Sequence, residues 1–232
     1  MTPDVLVREQ DIDALRSLET CVVSNAIETF DVRLRNTGFA GSTIRCMFED
    51  LPPMVGYAAT ARLRSSEPPM AGRAFHDRSD WWNSILAIRY PRIVVLEDID
   101  ESPGVGAFLG DMHAAMLRAF GCMGFVTNGA VRELPHVRRV GLQVFAGNVA
   151  VSHAYAHIFD LGAEVNVGGL GIKPNDLLHG DRHGLLAVPK EIAGQIPSVA
   201  ARLQHMEQRV INYCQSKDFS LDGLRRITRD LS

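Results

Sequence analysis

Apolar positions recur along this chain with two different periods, and the switches between them mark its elements. Between residues 11 and 30 the spacing is helical and predicts one helix, with Asn25 inside it. Residues 33–53 show no period and carry glycines, so that stretch is expected to be irregular. Residues 54–63 read as a strand, 65–70 with their two prolines as a loop, and 81–90 as a helix. Arg92-Ile93-Val94-Val95-Leu96-Glu97 has strand length and follows Pro91. Met112, Ala115, Met116 and Ala119 then return to helical spacing, and Gly121 is a suitable helix stop. Residues 124–127 form a second strand, closed by the turn signal Asn128-Gly129. Short apolar runs at 144–146, 164–167, 176–178 and 185–188 alternate with Gly-rich turns and predict a β-rich layer. In the tail, Ile192, Ile196, Val199, Leu203, Met206 and Val210 step by four and three, an amphipathic helix face. Pro197 is expected to break or restart that helix near its beginning.

Strand, helix, strand over residues 92–128 implies a right-handed parallel crossover. The loops leaving its two strands then open on the same edge of the sheet, where open α/β sheets usually bind ligands. Asp111 lies on the exit of the first loop, and Arg132 and Glu133 on the exit of the second. Two carboxylates and a guanidinium are therefore expected to converge. From spacing alone the same residues also read as a surface Arg-Glu pair beside a helix-capping Asp.

The stretch from Gly110 to Glu133 resembles the RraA-like family, which includes regulators of ribonuclease E activity and 4-hydroxy-4-methyl-2-oxoglutarate aldolases. Family enzymes carry an acidic residue, twenty intervening residues, then Arg-Asp. Here the spacing is kept from Asp111 to Arg132 and the last Asp is Glu133. Weaker landmarks extend the resemblance from about Thr20 to Pro189, among them Val55-Gly56-x-Ala58, Pro174-Asn175-Asp176 and Val188-Pro189. Departures fall at Asn25, at Asn128 where the family usually has Asp, and at Gly147-Asn148 where it commonly has Arg nearby.

The resemblance implies an α/β fold, a layered α/β/α-like domain of the swivelling β/β/α type, with the crossover unit and a C-terminal helix. It would span residues 1–189, with a helical tail at 190–232 packing on the domain or on a neighbouring subunit. It implies a divalent-metal-dependent carbon–carbon lyase, a class II pyruvate aldolase or oxaloacetate decarboxylase acting on a short 2-oxo (di)carboxylic acid. Backbone N–H groups around Leu109, Gly110, Asp111 and Met112 would hold the substrate carboxylate. Arg132 would stabilise the enolate. Mg²⁺ or Mn²⁺ would be ligated by Glu133 and, through water, by Asp111, which is also a candidate for proton transfer. A neighbouring subunit of a homotrimer or homohexamer would add Glu207. The alternative is a non-catalytic regulatory member, which the substitutions at Asn128 and Glu133 keep open.

Composition narrows the field without choosing. The 232 residues suit one domain or one with an appendage, at 46% hydrophobic and 22% charged. Net charge is −3 with no Lys/Arg run, so no nucleic-acid or membrane partner is expected. No apolar stretch approaches the roughly 20 residues of a membrane span, and no signal-peptide core is visible. Cys21, Cys46, Cys122 and Cys214 lack Cys-x-x-Cys spacing and read as reduced thiols of a cytoplasmic protein. Gly104-x-Gly106 is followed by Leu109 rather than a third glycine, which argues against a dinucleotide site or an S-adenosylmethionine methyltransferase. His153 and His157 would share a face only in a helix, and read as loop or pocket-lining residues. His113, two residues after Asp111, reads as a proton donor or as a solvent-facing helix residue.

Overall fold

The computed structural model describes residues 6–69 and 78–229. Where one N-terminal helix is expected there are two, α1 (Glu9–Arg16) and α2 (Thr20–Glu28). The sequence between them, Ser17-Leu18-Glu19, holds no helix breaker. The break is made by two side chains from a distant strand. His179 Nε2 donates to the Leu15 carbonyl at 3.0 Å, and Asp181 Oδ2 accepts from Thr20 N at 2.9 Å. These bonds satisfy a carbonyl near the end of one helix and the first N–H of the next, groups that helix ends otherwise leave unpaired.

After the two-residue β1 (Arg45–Cys46), β2 (Met54–Arg64) is buried almost throughout. A helix, α3 (Arg78–Leu86), starts three residues before the expected one and ends four residues before it; Met70 lies outside the described residues. The crossover follows as β3 (Arg92–Asp98), β4 (Ala107–Leu109), α4 (Asp111–Ala119) and β5 (Cys122–Thr127). Next come β6 (Ala130–Val131), α5 (Leu134–Val140), β7 (Gln143–Ala146) and β8 (Asn148–Val149). The remaining strands are β9 (His157–Phe159), β10 (Val165–Val167), β11 (Leu170–Ile172), β12 (Leu177–Asp181) and β13 (Gly184–Val188). The chain continues through α6 (Ile196–Cys214) and α7 (Leu221–Arg229).

The main sheet runs β1-β7-β5-β3-β2-β12-β13, with β9 added to β2. Its centre, β2-β3-β5-β7, is parallel throughout, and β12, β13, β9 and β1 are antiparallel additions. Both faces are covered. Val94 and Leu96 join the core that also holds Leu117 of α4 and Val137 of α5, while Ile93 and Val95 join one shared with β10 and β11. That explains why β3 reads as an unbroken apolar run instead of an alternating one. The β10–β11 hairpin turns on Gly168-Gly169, both at positive φ, as a two-residue turn of its twist requires. The architecture is the layered α/β arrangement of the swivelling β/β/α type, with the parallel crossover and a C-terminal helix.

The tail stripe is used in part. Ile196 and Ala200 are buried, and Val199 and Leu203 pack against the main core. Pro197 sits in the first turn, where its missing N–H costs nothing, so it starts the helix instead of breaking it. No described helix is long and apolar enough to cross a membrane.

Candidate active site at the start of α4

The loops leaving β3, β5 and β7 do not wander. Each carries one short strand, and β4, β6 and β8 pair in parallel as a second sheet of three strands. Ala107 stands opposite Ala130 and Leu109 opposite Val131, and Arg132 N donates to the Leu109 carbonyl at 3.0 Å. The ends of β4 and β6 are thus level. One strand leads through Gly110 into α4, the other through Arg132 and Glu133 into α5. Sequence spacing shows the two exits but not the small sheet that clamps them together.

Glu133 adopts a left-handed backbone, φ +57°, uncommon for a residue with a side chain. Its carbonyl accepts from His136 N and Val137 N and opens α5. The carboxylate turns back across Gly110. Oε2 accepts from Asp111 N at 3.1 Å, and Oε1 pairs with Arg132 at 2.9 Å. A Cβ at position 110 would stand 2.5 Å from Glu133 Oε2, so the close approach depends on glycine.

Asp111 occupies the first turn of α4, and its Oδ2 faces His136 Nδ1 at 3.4 Å. The Met112 N–H, with His136 behind it, holds the Asp111 carboxyl below the usual carboxylate range. Side-chain exposure is 26% for Arg132, 34% for Glu133 and 48% for Asp111, so all three remain open to a ligand. An open groove of about 510 Å³ runs between α4 and α5, lined by Asp111, Met112, Ala115, His136, Arg139 and Val140.

The structure thus brings Asp111, Arg132 and Glu133 together. Leu109 is buried, and the Asp111 N–H expected to receive a substrate carboxylate is engaged by Glu133. Glu207 is exposed on α6 and does not line the groove. His136 was missed, because α5 was not expected; its signal is a His three residues after Glu133, on the first turn of a helix. The His113 ring packs against Phe108 at 4.7 Å and Trp81 at 6.3 Å. His153 and His157 are not in a helix, and their Nδ1 atoms donate to the Ala107 and Tyr155 carbonyls. Asn128 bridges two strands, accepting from Asp98 N at 2.7 Å and donating to the Asp98 carbonyl at 2.9 Å. An Asp could not supply the second bond. All four cysteines are free, and burial pushes the Cys122 thiol up to about 12.

The RraA-like family, described as Aldolase/RraA, matches residues 20–187. The chain belongs to that family. A Halalkalibacterium halodurans relative, provisionally named a 4-hydroxy-4-methyl-2-oxoglutarate aldolase, is 26% identical over 77% of this chain and 76% of its own length. A Hahella chejuensis protein with the same provisional name is 31% identical over 38% of this chain, which spans about half of that protein at 54%. Among solved structures, an uncharacterized protein from Pseudomonas syringae pv. tomato superposes with a TM-score of 0.73 at 20% identity, covering 95% of this chain and 94% of that one. Streptomyces coelicolor RraAS2, described as an unusual member of the RNase ES inhibitor RraA protein family, gives 0.66 at 19% identity, covering 88% and 96%. At these identities the structural likeness shows the fold alone. RraA-like relatives thus carry both aldolase and inhibitor names.

Proposed function

We propose that this RraA-like protein is a divalent-metal-dependent carbon–carbon lyase that releases pyruvate from a short 2-oxo (di)carboxylic acid, of aldolase or oxaloacetate decarboxylase type. The observation that carries this reading is the meeting of Asp111, Arg132 and Glu133 at the level ends of β4 and β6. The provisional aldolase names of the two curated relatives support it.

Asp111 and Glu133 are part-exposed carboxylates within reach of one point, oxygen donors that suit a Mg²⁺ or Mn²⁺ retaining several waters. No three His, Cys, Asp or Glu side chains among the described residues are placed to hold one metal ion by themselves. Further positions would fall to water, substrate or Glu207 from a neighbouring copy in a trimer or hexamer, an assembly that light scattering would test. Such a cation supplies Lewis-acid polarisation of the keto oxygen.

The substrate carboxylate takes the Asp111 N–H as Glu133 releases it. Arg132 donates to the keto oxygen and holds the charge that develops there. In the aldol cleavage the C4 hydroxyl proton passes through a water to the Asp111 carboxylate, which returns it by the same path to C3 of the enolate. The C3–C4 bond breaks, its electron pair forming the pyruvate enolate, and the C4 carbonyl product leaves. Protonation at C3 then gives pyruvate. With oxaloacetate the same bond breaks and CO₂ leaves. The Met112 N–H and His136 hold the Asp111 carboxyl below the usual range, so it stays charged and acts on the proton through an anchored water.

Purified protein supplied with Mg²⁺ or Mn²⁺ should release pyruvate from oxaloacetate or a 4-hydroxy-2-oxo acid, and a chelator should abolish the release. One observation favours a regulatory role instead: Glu133 satisfies both Asp111 N and Arg132 internally. Absence of turnover together with absence of metal binding would decide for that second reading.

A further inference from the structure

We propose that Arg139 selects the second carboxylate of a dicarboxylic 2-oxo acid, bound along the groove between α4 and α5; this rests on the lyase reading above. His136, Arg139 and Val140 stand at i, i+3 and i+4 on α5, so they share one face of that helix. That face and Asp111, Met112 and Ala115 of α4 line the open groove of about 510 Å³, within the range of roughly 300–1,000 Å³ typical of small-molecule clefts.

The guanidiniums around it are otherwise committed. Arg132 pairs with Glu133, Arg138 with Asp50, and Arg118 donates to the Cys122 carbonyl. Arg139 makes no hydrogen bond or ion pair with any described residue, although it lines the groove. The groove is therefore polarised. Its Asp111 end repels a second carboxylate, its Arg139 end attracts one, and the apolar Met112, Ala115 and Val140 between them suit methylenes. His136 and Arg139 lie one helical turn apart, with Cβ atoms about 5–6 Å from each other. The distal carboxylate of a substrate with a spacer of a few carbons then reaches Arg139 while its keto end stays beside Asp111 and Arg132.

Two acids of equal length separate the charge from the chain: 2-oxoglutarate, and 2-oxopentanoate with a methyl in place of the second carboxylate. Calorimetric titration with Mn²⁺ present should show wild type preferring 2-oxoglutarate by roughly tenfold or more, the scale of one charge-assisted hydrogen bond. Arg139→Gln should bring the ratio near unity, and Arg139→Lys should fall between, keeping charge without the planar fork. An unchanged ratio in Arg139→Gln, no preference in wild type, or no binding of either acid would overturn the proposal. Oxaloacetate turnover, measured on the same samples, separates the two readings. Turnover with an unchanged ratio removes only the role of Arg139. An Arg139-dependent ratio without turnover removes the lyase reading and leaves the dicarboxylate groove standing.

Discussion

The carboxylate of Glu133 closes on the backbone N–H of Asp111, with Oε2 3.1 Å from the nitrogen across 22 residues of sequence. Gly110 leaves room for this contact, and the left-handed turn at Glu133 aims the side chain into it. A carboxylate ligand that takes the same N–H must displace Glu133, so the protein holds its own competitor at the start of α4.

Shortening that competitor tests the arrangement. Glu133→Asp removes one methylene and with it the reach to Asp111 N. Oxalate, a small dianion resembling the pyruvate enolate, should then bind the Mn²⁺-loaded protein more tightly by about tenfold, the scale of one charged hydrogen bond. Calorimetry reads this directly, and weaker oxalate binding would refute it. Mn²⁺ itself should stay within about threefold of wild type in Glu133→Asp and weaken at least about tenfold in Glu133→Ala.

Arg132→Lys keeps the charge and loses the planar two-point contact. Pyruvate release from oxaloacetate should drop by about 10²-fold in kcat, the scale of one lost oxyanion donor. Activity within a factor of a few of wild type would show that Arg132 does not hold the developing charge.

Gly110→Ala should separate folding from ligand chemistry. The backbone at Gly110, φ −126°, admits alanine, and the atom the new methyl meets is the far end of the flexible Glu133 side chain. Urea unfolding should change by only about 0.5 kcal/mol. The Glu133–Asp111 contact should be lost, which a crystal structure of the variant would show. A large loss of stability would mean that Glu133 cannot give way.

The α1–α2 break should make the protein sensitive to acid. Burial holds the His179 imidazole below its ordinary value of 6.5, neutral, with Nε2 donating to Leu15 and Nδ1 accepting from Thr20 Oγ1. The unfolded chain takes up that proton first, so the stability is complete above 6.5 and falls as pH drops below it. Asp181, held low chiefly by the Thr20 N–H against the cost of burial, loses its contribution in the same direction at lower pH. Urea midpoints should decline between about pH 6.5 and 5, and His179→Asn should flatten that decline. A wild-type midpoint constant over that interval would contradict this assignment.

The crossover is legible because β3 and β5 are buried on both faces and read as apolar runs, whereas in α4 the spacing of Met112, Ala115, Met116 and Ala119 marks a helix but not its buried face, which carries Ala114 and Leu117. The same signal misses α5, whose seven residues hold only one buried side chain. It also merges α1 with α2, since their break is made by His179 and Asp181, more than 150 residues away. At the site, residue types and spacing bring Asp111, Arg132 and Glu133 to one edge of the sheet. Only the tertiary structure decides that β4 and β6 pair, that Glu133 turns back over Gly110, and that His136 and Arg139 line the same groove as Asp111. These are contacts between segments too short to show a period of their own. Their partners are set by the folding of the sheet beneath them, a constraint that no local pattern carries.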